Sequence, residues 1–151
     1  MKLTTHLLGT DETIDVSPEQ IFAFDPPLGG FEELRRYALI PDGDESPVEW
    51  LQSVEDENVA LPLLEPFLFE PDYGFELPDH DAEALGMENP EDAIVRCVLT
   101  LREEPEDISA NLLAPIVFCR RTHLARQIVL QESEFPLRRP VFSTLGLAAS
   151  A

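Results

Sequence analysis

Proline sets the grain of this chain. Fourteen prolines fall between short apolar runs, and each fixes φ and removes a backbone donor, so the runs end in turns instead of continuing as long helices. The runs are rich in β-branched and aromatic residues, which suit a pleated, half-buried surface. They predict strands at Leu3–Leu8, Gln20–Phe24, Tyr37–Pro41, Val48–Val54, Val59–Leu64, Gly74–Leu77, Ala93–Arg102, Leu112–Phe118 and Arg126–Leu130. Alternation is best in Ala93–Arg102, where Ala93, Val95, Cys97, Leu99 and Leu101 share a face expected to be buried. Arg96, Thr100 and Arg102 share the other, half-covered face with Ile94 and Val98. One short helix is expected over Pro78–Leu85, with early acids at the positive end of its dipole and Gly86 at its C-terminal cap. Ser17–Pro18–Glu19–Gln20 imitates a capping box, but Pro26 and Pro27 leave too little room for a helix, so it reads as a turn into a strand. The expected fold is mostly β: a single-domain antiparallel β-barrel-like or sandwich fold with one or two short helices. Residues 1–151 form one domain, and the small, weakly apolar residues 143–151 are expected to fray.

The charge narrows the partners. Thirty acids against ten bases give a formal net charge of −20. The acid is concentrated: residues 42–107 carry 21 acids and 2 bases, residues 1–41 carry 7 and 3, and residues 108–151 carry 2 and 5. Nucleic acids and anionic membranes are held mainly through Lys and Arg, so neither is an expected partner, whereas a basic protein is. No apolar run reaches the ~18 residues of a membrane span, and Met1–Lys2–Leu3 opens no secretory h-region. The expected location is the cytoplasm.

Candidate reaction centres are weak. Gly29–Gly30 beside Pro26–Pro27 is a turn signal. His6, His80 and His123 lack metal-ligand spacing to one another. Cys97 and Cys119 cannot by themselves form a disulfide framework or a zinc site. Cys97 lies on a buried strand face; Cys119 has Arg120, Arg121 and His123 nearby, the surroundings a reactive thiolate needs. Asp42–Gly43–Asp44–Glu45 begins like a calcium loop, but Pro47 replaces the Gly and Ser53 the bidentate Glu that such a loop requires. A binding protein fits better than a catalyst, without cofactor; a small thiol- or carboxylate-dependent hydrolase and an acidic calcium-buffering module stay open beside it. In Glu65–Phe75, Phe67 and Phe69 are expected in the core, and Tyr73, between Asp72 and Gly74, at the surface. Pro115 cannot donate to a ladder and marks an edge or bulge after Asn111, where a partner strand could add.

Four segments carry a resemblance. Trp50–Leu51–Gln52–Ser53–Val54, Pro66–Phe67–Leu68–Phe69 with Pro71–Asp72–Tyr73, Asn111–Leu112–Leu113–Ala114–Pro115–Ile116–Val117 and Gln127–Ile128–Val129–Leu130 resemble, in order, the FliW-type flagellar assembly factors. The resemblance runs from about Gln20 to Phe142. It departs in the loop Phe24–Glu32, where Pro27 replaces a Gly and Gly29 a Pro, at Cys119 in place of Asn, and at Arg139 in place of His. It implies a non-enzymatic cytoplasmic protein that binds flagellin and, when free of it, a CsrA-type carbon storage regulator, a basic dimer whose repression of flagellin translation it relieves. The residues assigned to partner binding are Asp72, Tyr73, Glu76, Glu103, Glu104, Asp107, Asn111 and Pro115. The acids would face the regulator, and Tyr73 with the Asn111–Pro115 edge would face flagellin.

Overall fold

The computed structural model describes residues 2–5, 12–43, 46–130 and 134–141. The predicted strand end His6–Leu8, the acids Asp44 and Glu45 and the tail 143–151 lie outside them. Among the described residues eleven strands and one α-helix follow one another, with four single-turn 3₁₀ segments between them.

β1 (Lys2–Thr5) and β2 (Glu12–Asp15) form an antiparallel hairpin. Leu3 and Val16 pack there against Ala38 and Ile40. The proline-led turn Pro18–Gln20, tied by the Gln20 side chain accepting from the Ser17 amide at 2.9 Å, delivers β3 (Ile21–Phe24), as the turn reading expects. β4 (Arg36–Pro41), β5 (Glu49–Ser53) and β6 (Ala60–Leu64) follow as antiparallel neighbours, in a register that sets Leu39, Leu51 and Leu61 side by side. β6 pairs with β7 (Ala93–Thr100), whose first half pairs with β9 (Ile116–Cys119). β10 (Leu124–Gln127) runs antiparallel to β9 and parallel to β3. The ring β3-β4-β5-β6-β7-β9-β10 therefore closes into a seven-stranded barrel. Its parallel seam, Leu124 beside Ala23 and Ala125 beside Phe24, is the exception among the described pairings, which are otherwise antiparallel, in a fold that is mostly β as expected. The far end of β7 pairs with β8 (Ser109–Ala110), which carries β11 (Arg139–Pro140) outside the ring.

The inside of the ring is aromatic. Phe22, Phe24, Tyr37, Leu51, Leu63 and Phe118 are buried together, with the Phe22 and Phe118 rings edge-on at 5.0 Å and Phe24 and Tyr37 at 5.2 Å, a geometry their quadrupoles favour. β9 is buried along its whole length. Its outer face, Val117 and Cys119, lies beneath helix α1 (Asp79–Leu85), so an alternating pattern could not develop there. The helix stops where expected: Gly86 is left-handed at φ 70°, and a Cβ there would meet Thr122 Cγ2 at 2.7 Å. Thr122 Oγ1 donates to the Leu85 carbonyl at 2.6 Å, and Arg121 donates to that of Gly86. A second anchor is ionic: Arg126 Nη1 donates to Asp81 Oδ1 at 2.9 Å, fastening α1 to β10.

Four expected elements differ. The strand expected at Arg126–Leu130 runs instead from Leu124 to Gln127, and the Ile128 and Leu130 amides beyond it donate to the carbonyls of Pro115 and Leu113 in the turn before β9. Gly74–Leu77 is not a strand; Phe75 and Leu77 pack against apolar clusters, and among the described residues no strand pairs with the segment. β9 begins at Ile116, because Asn111–Pro115 turns before it. β7 ends at Thr100, which leaves Leu101 outside the sheet and exposed.

The Tyr37 hydroxyl is fully buried with no hydrogen-bond partner, and burial, helped by the charge of Glu55, pushes it from 10.0 up to about 12. Burial likewise pushes the Cys97 thiol from 9.0 up to about 12. In both, the folded chain keeps a proton that the unfolded chain has already released, so stability is complete below about pH 9 and falls as pH rises towards 12. Urea unfolding at pH 8 and 10.5 will show that fall. Tyr37→Phe will lessen the fall above pH 10 without abolishing it, because Cys97 still contributes there, and, by removing an unsatisfied buried hydroxyl, will raise stability at pH 8 by about 1 kcal/mol. Loss of stability at pH 8 in this variant would count against the unpartnered hydroxyl.

Candidate partner-binding face

The residues singled out in the sequence scatter over two regions. Asp72 and Glu76 are exposed on the segment between the Pro66–Leu68 turn and α1. Tyr73 between them is not at the surface: it is 4% exposed, and its hydroxyl donates to the Leu112 carbonyl at 2.7 Å. Its ring lies 4.6 Å from Phe135, 5.9 Å from Phe75 and 6.2 Å from Phe67. Burial raises its hydroxyl above the ordinary tyrosine value. The surface reading of Tyr73 is thus corrected: its polar flanks are exposed, while its ring is the centre of an aromatic cluster. Phe67 reverses the other way, standing 44% exposed where core burial was expected, while Phe69 is buried as expected.

Asn111–Pro115 is not a free edge. The Asn111 side chain caps its own turn, accepting from the Leu113 and Ala114 amides at 3.0 and 3.1 Å. The Leu112 amide donates to Pro136, and the Leu113 and Pro115 carbonyls accept from Leu130 and Ile128. Pro115 itself is buried. No backbone row is left there for an added strand. Glu103, Glu104 and Asp107 are exposed in the β7–β8 loop, and Asp107 lines a separate depression of about 310 Å³ together with Arg102 and Arg138. None of the residues lining it lines the grooves beside Glu76.

Two grooves flank Gly74–Glu76, which forms a wall of both. One, about 800 Å³, runs between this wall and the segment Ile128–Leu130 that follows β10, with Phe135 and Arg139 also lining it. Arg139 ties β11 to the wall's base: its guanidinium lies 5.5 Å over the Phe69 ring, Nη2 donates to the Phe69 carbonyl at 3.2 Å, and Nε is 3.5 Å from the Glu70 carboxylate. The other groove, about 510 Å³, lies between the wall, α1 and the outer face of β7 and β9. Single-sequence reading missed it because its lining is drawn from segments that are distant in the chain.

Cys97 and Cys119 are fully buried. Near Cys119, Arg121 pairs with Glu88 and the Gly86 carbonyl, while the His123 ring stacks on Phe22 at 5.4 Å with Nδ1 3.2 Å from the Ile21 carbonyl. Among the described residues no group of three or more His, Cys, Asp or Glu is placed to hold a metal ion. Asp42 accepts instead from Trp50 Nε1 at 2.8 Å. Among the same residues no helix is long and apolar enough to cross a membrane.

Comparison with known proteins agrees with the architecture. The sequence family described as FliW protein matches residues 3–141. The flagellar assembly factor FliW of Thermotoga neapolitana is 37% identical over 138 residues, 91% of this chain and 93% of that protein. The Bacillus subtilis protein of the same name is 37% identical over 128 residues, 85% of this chain and 90% of its own length. A crystal structure of the flagellar assembly factor FliW superposes with a TM-score of 0.84 at 29% identity, covering 94% of this chain and 97% of that one.

Proposed function

Given that this chain belongs to the FliW family of flagellar assembly factors, we propose that it is a non-enzymatic cytoplasmic partner switch. It binds flagellin; when flagellin is exported, the freed protein binds a CsrA-type regulator and relieves repression of flagellin mRNA. The family match across residues 3–141 carries this reading. Two properties of the molecule suit it. Its excess acid favours a basic protein over RNA, so the regulator and not its transcript is the thing touched. Its open apolar grooves and buried thiols suit binding better than bond-making.

Asp72, Glu76, Glu103, Glu104 and Asp107, all exposed, are the side chains proposed to meet the basic partner. Tyr73, Asn111 and Pro115 act indirectly, by shaping the wall and the turn beside the grooves. A pull-down with the host's flagellin and regulator, singly and together, tests the proposal. Each should be captured alone, and added flagellin should release the regulator. Capture of neither would end it.

A further inference from the structure

We infer that the groove between Gly74–Leu77 and α1 is a docking site for an amphipathic helix whose apolar stripe is flanked by Lys or Arg. The inference rests on the protein-binding reading above but can fail separately from it. The lining of the groove is almost wholly apolar: Phe67, Phe75, Leu77, Ala82, Met87 and Val95 contribute most of it. Phe67, 44% exposed, offers part of its ring at one side of the groove. Phe75 and Met87 are half-buried, and methionine adapts to irregular apolar partners.

The floor is the outer face of β7 and β9, which meets the groove through Val95 and Val117. Both strands are already paired there, Val95 lying opposite Val117, so the floor offers side chains and no backbone row. That disfavours an added strand and favours a helix reading the groove through residues spaced i, i+3, i+4 and i+7.

The charge of the occupant follows from the rim. Glu76 and Glu88 line the groove, and Asp79, Glu83 and Glu91 are exposed on α1 and the turn after it. The nearby cation Arg121 is held 3.6 Å from Glu88 and at the Gly86 carbonyl. An acidic helix would bring like charges together over this apolar floor, whereas a basic one finds carboxylates beside the seat of its stripe.

The test uses the full chain and an 18-residue peptide of Leu and Lys arranged so that all Leu fall on one helical face, with a Leu/Glu peptide of the same pattern as comparison. Fluorescence anisotropy at physiological salt should show binding of the Leu/Lys peptide and at least about tenfold weaker binding of the Leu/Glu one. Phe67→Ser leaves every charge in place and, on an exposed side chain, should preserve the fold; it should weaken Leu/Lys binding about tenfold. Met87→Gln, checked by circular dichroism, should act in the same direction, whereas Leu101→Ser, exposed but outside the groove, should not. Equal binding by the chain and Phe67→Ser would reduce the effect to general attraction of a polycation and overturn the inference. A concentration-dependent dimer abolished by Phe67→Ser would assign the groove to a second copy and overturn it as well. If flagellin and regulator complexes form equally well with Phe67→Ser, the groove inference falls while the partner switch stands; if the unaltered chain captures neither, the partner switch falls whatever the peptide does.

Discussion

Asp81→Ala will destabilise the protein by about 3 kcal/mol, the lower end of the range for leaving one member of a buried ion pair without its partner. Asp81 and Arg126 have side chains only 11% and 19% exposed, and the 2.9 Å bond between them is the polar fastening of α1 onto β10. Without the carboxylate, Arg126 keeps its bond to the Asp25 carbonyl at 3.0 Å, but its charge stays largely desolvated. At this chain length the melting temperature should fall by about 6–12 °C. Asp15→Ala is the control: Asp15 pairs with Lys2 at 3.4 Å, but both side chains are 75% exposed, so its loss should change stability by less than about 0.5 kcal/mol. Replacing Asp81 and Arg126 together by Leu and Met should recover most of the loss, since well-packed apolar side chains often replace a buried pair without cost. Thermal unfolding followed by circular dichroism decides the matter. An Asp81→Ala variant as mild as Asp15→Ala would show that packing alone holds the helix.

Association with the basic regulator should slow at least about tenfold between 20 mM and 150 mM salt, because the Debye length shrinks to about 8 Å at the upper value and steering by focused charge accelerates encounter by about 10–10³-fold. The excess acid lies within residues 42–107, and Glu103, Glu104, Glu106 and Asp107 stand exposed on one loop of that segment. Neutralising these four as Gln and Asn should lower the association rate at low salt and flatten its salt dependence, with a much smaller change in dissociation. Stopped-flow measurement of both rates separates the two effects. A rate indifferent to salt would remove steering from the mechanism.

The barrel was legible because its strands carry local signals: prolines end them, and β-branched and aromatic residues fill them. Cys97 and Leu99 are buried as the alternation along β7 requires. The α1 boundary was legible because Gly86 must stand where φ is positive. What was hidden depends on distant neighbours. β8 and β11 are two residues each and exist through pairing, so no run marks them. β2, Glu-Thr-Ile-Asp, is too polar to announce a strand and is fixed by its register with β1. Gly74–Leu77 alternates like a strand, yet among the described residues no strand pairs with it. Tyr73 was misjudged because its neighbours in sequence are polar, while Phe135 and Leu112, which enclose it, lie far along the chain. The exposure of Asp72, Glu76, Glu103, Glu104 and Asp107 could be read from composition. The grooves could not, because their lining residues come together through the tertiary fold.

The parallel seam also has a temporal side. Residue 23 cannot find its neighbour until residue 124 has been polymerised, an interval of about 5–20 s at ordinary elongation speeds. Throughout it, the first-made strands of the ring present an unclosed flank to the surrounding proteome, and the Phe22 and Phe24 rings lack Phe118 and Ala125 to cover them. A nascent chain truncated before its last barrel strand would carry most of the cylinder and none of its closure. Such fragments are the species from which self-association during synthesis should start.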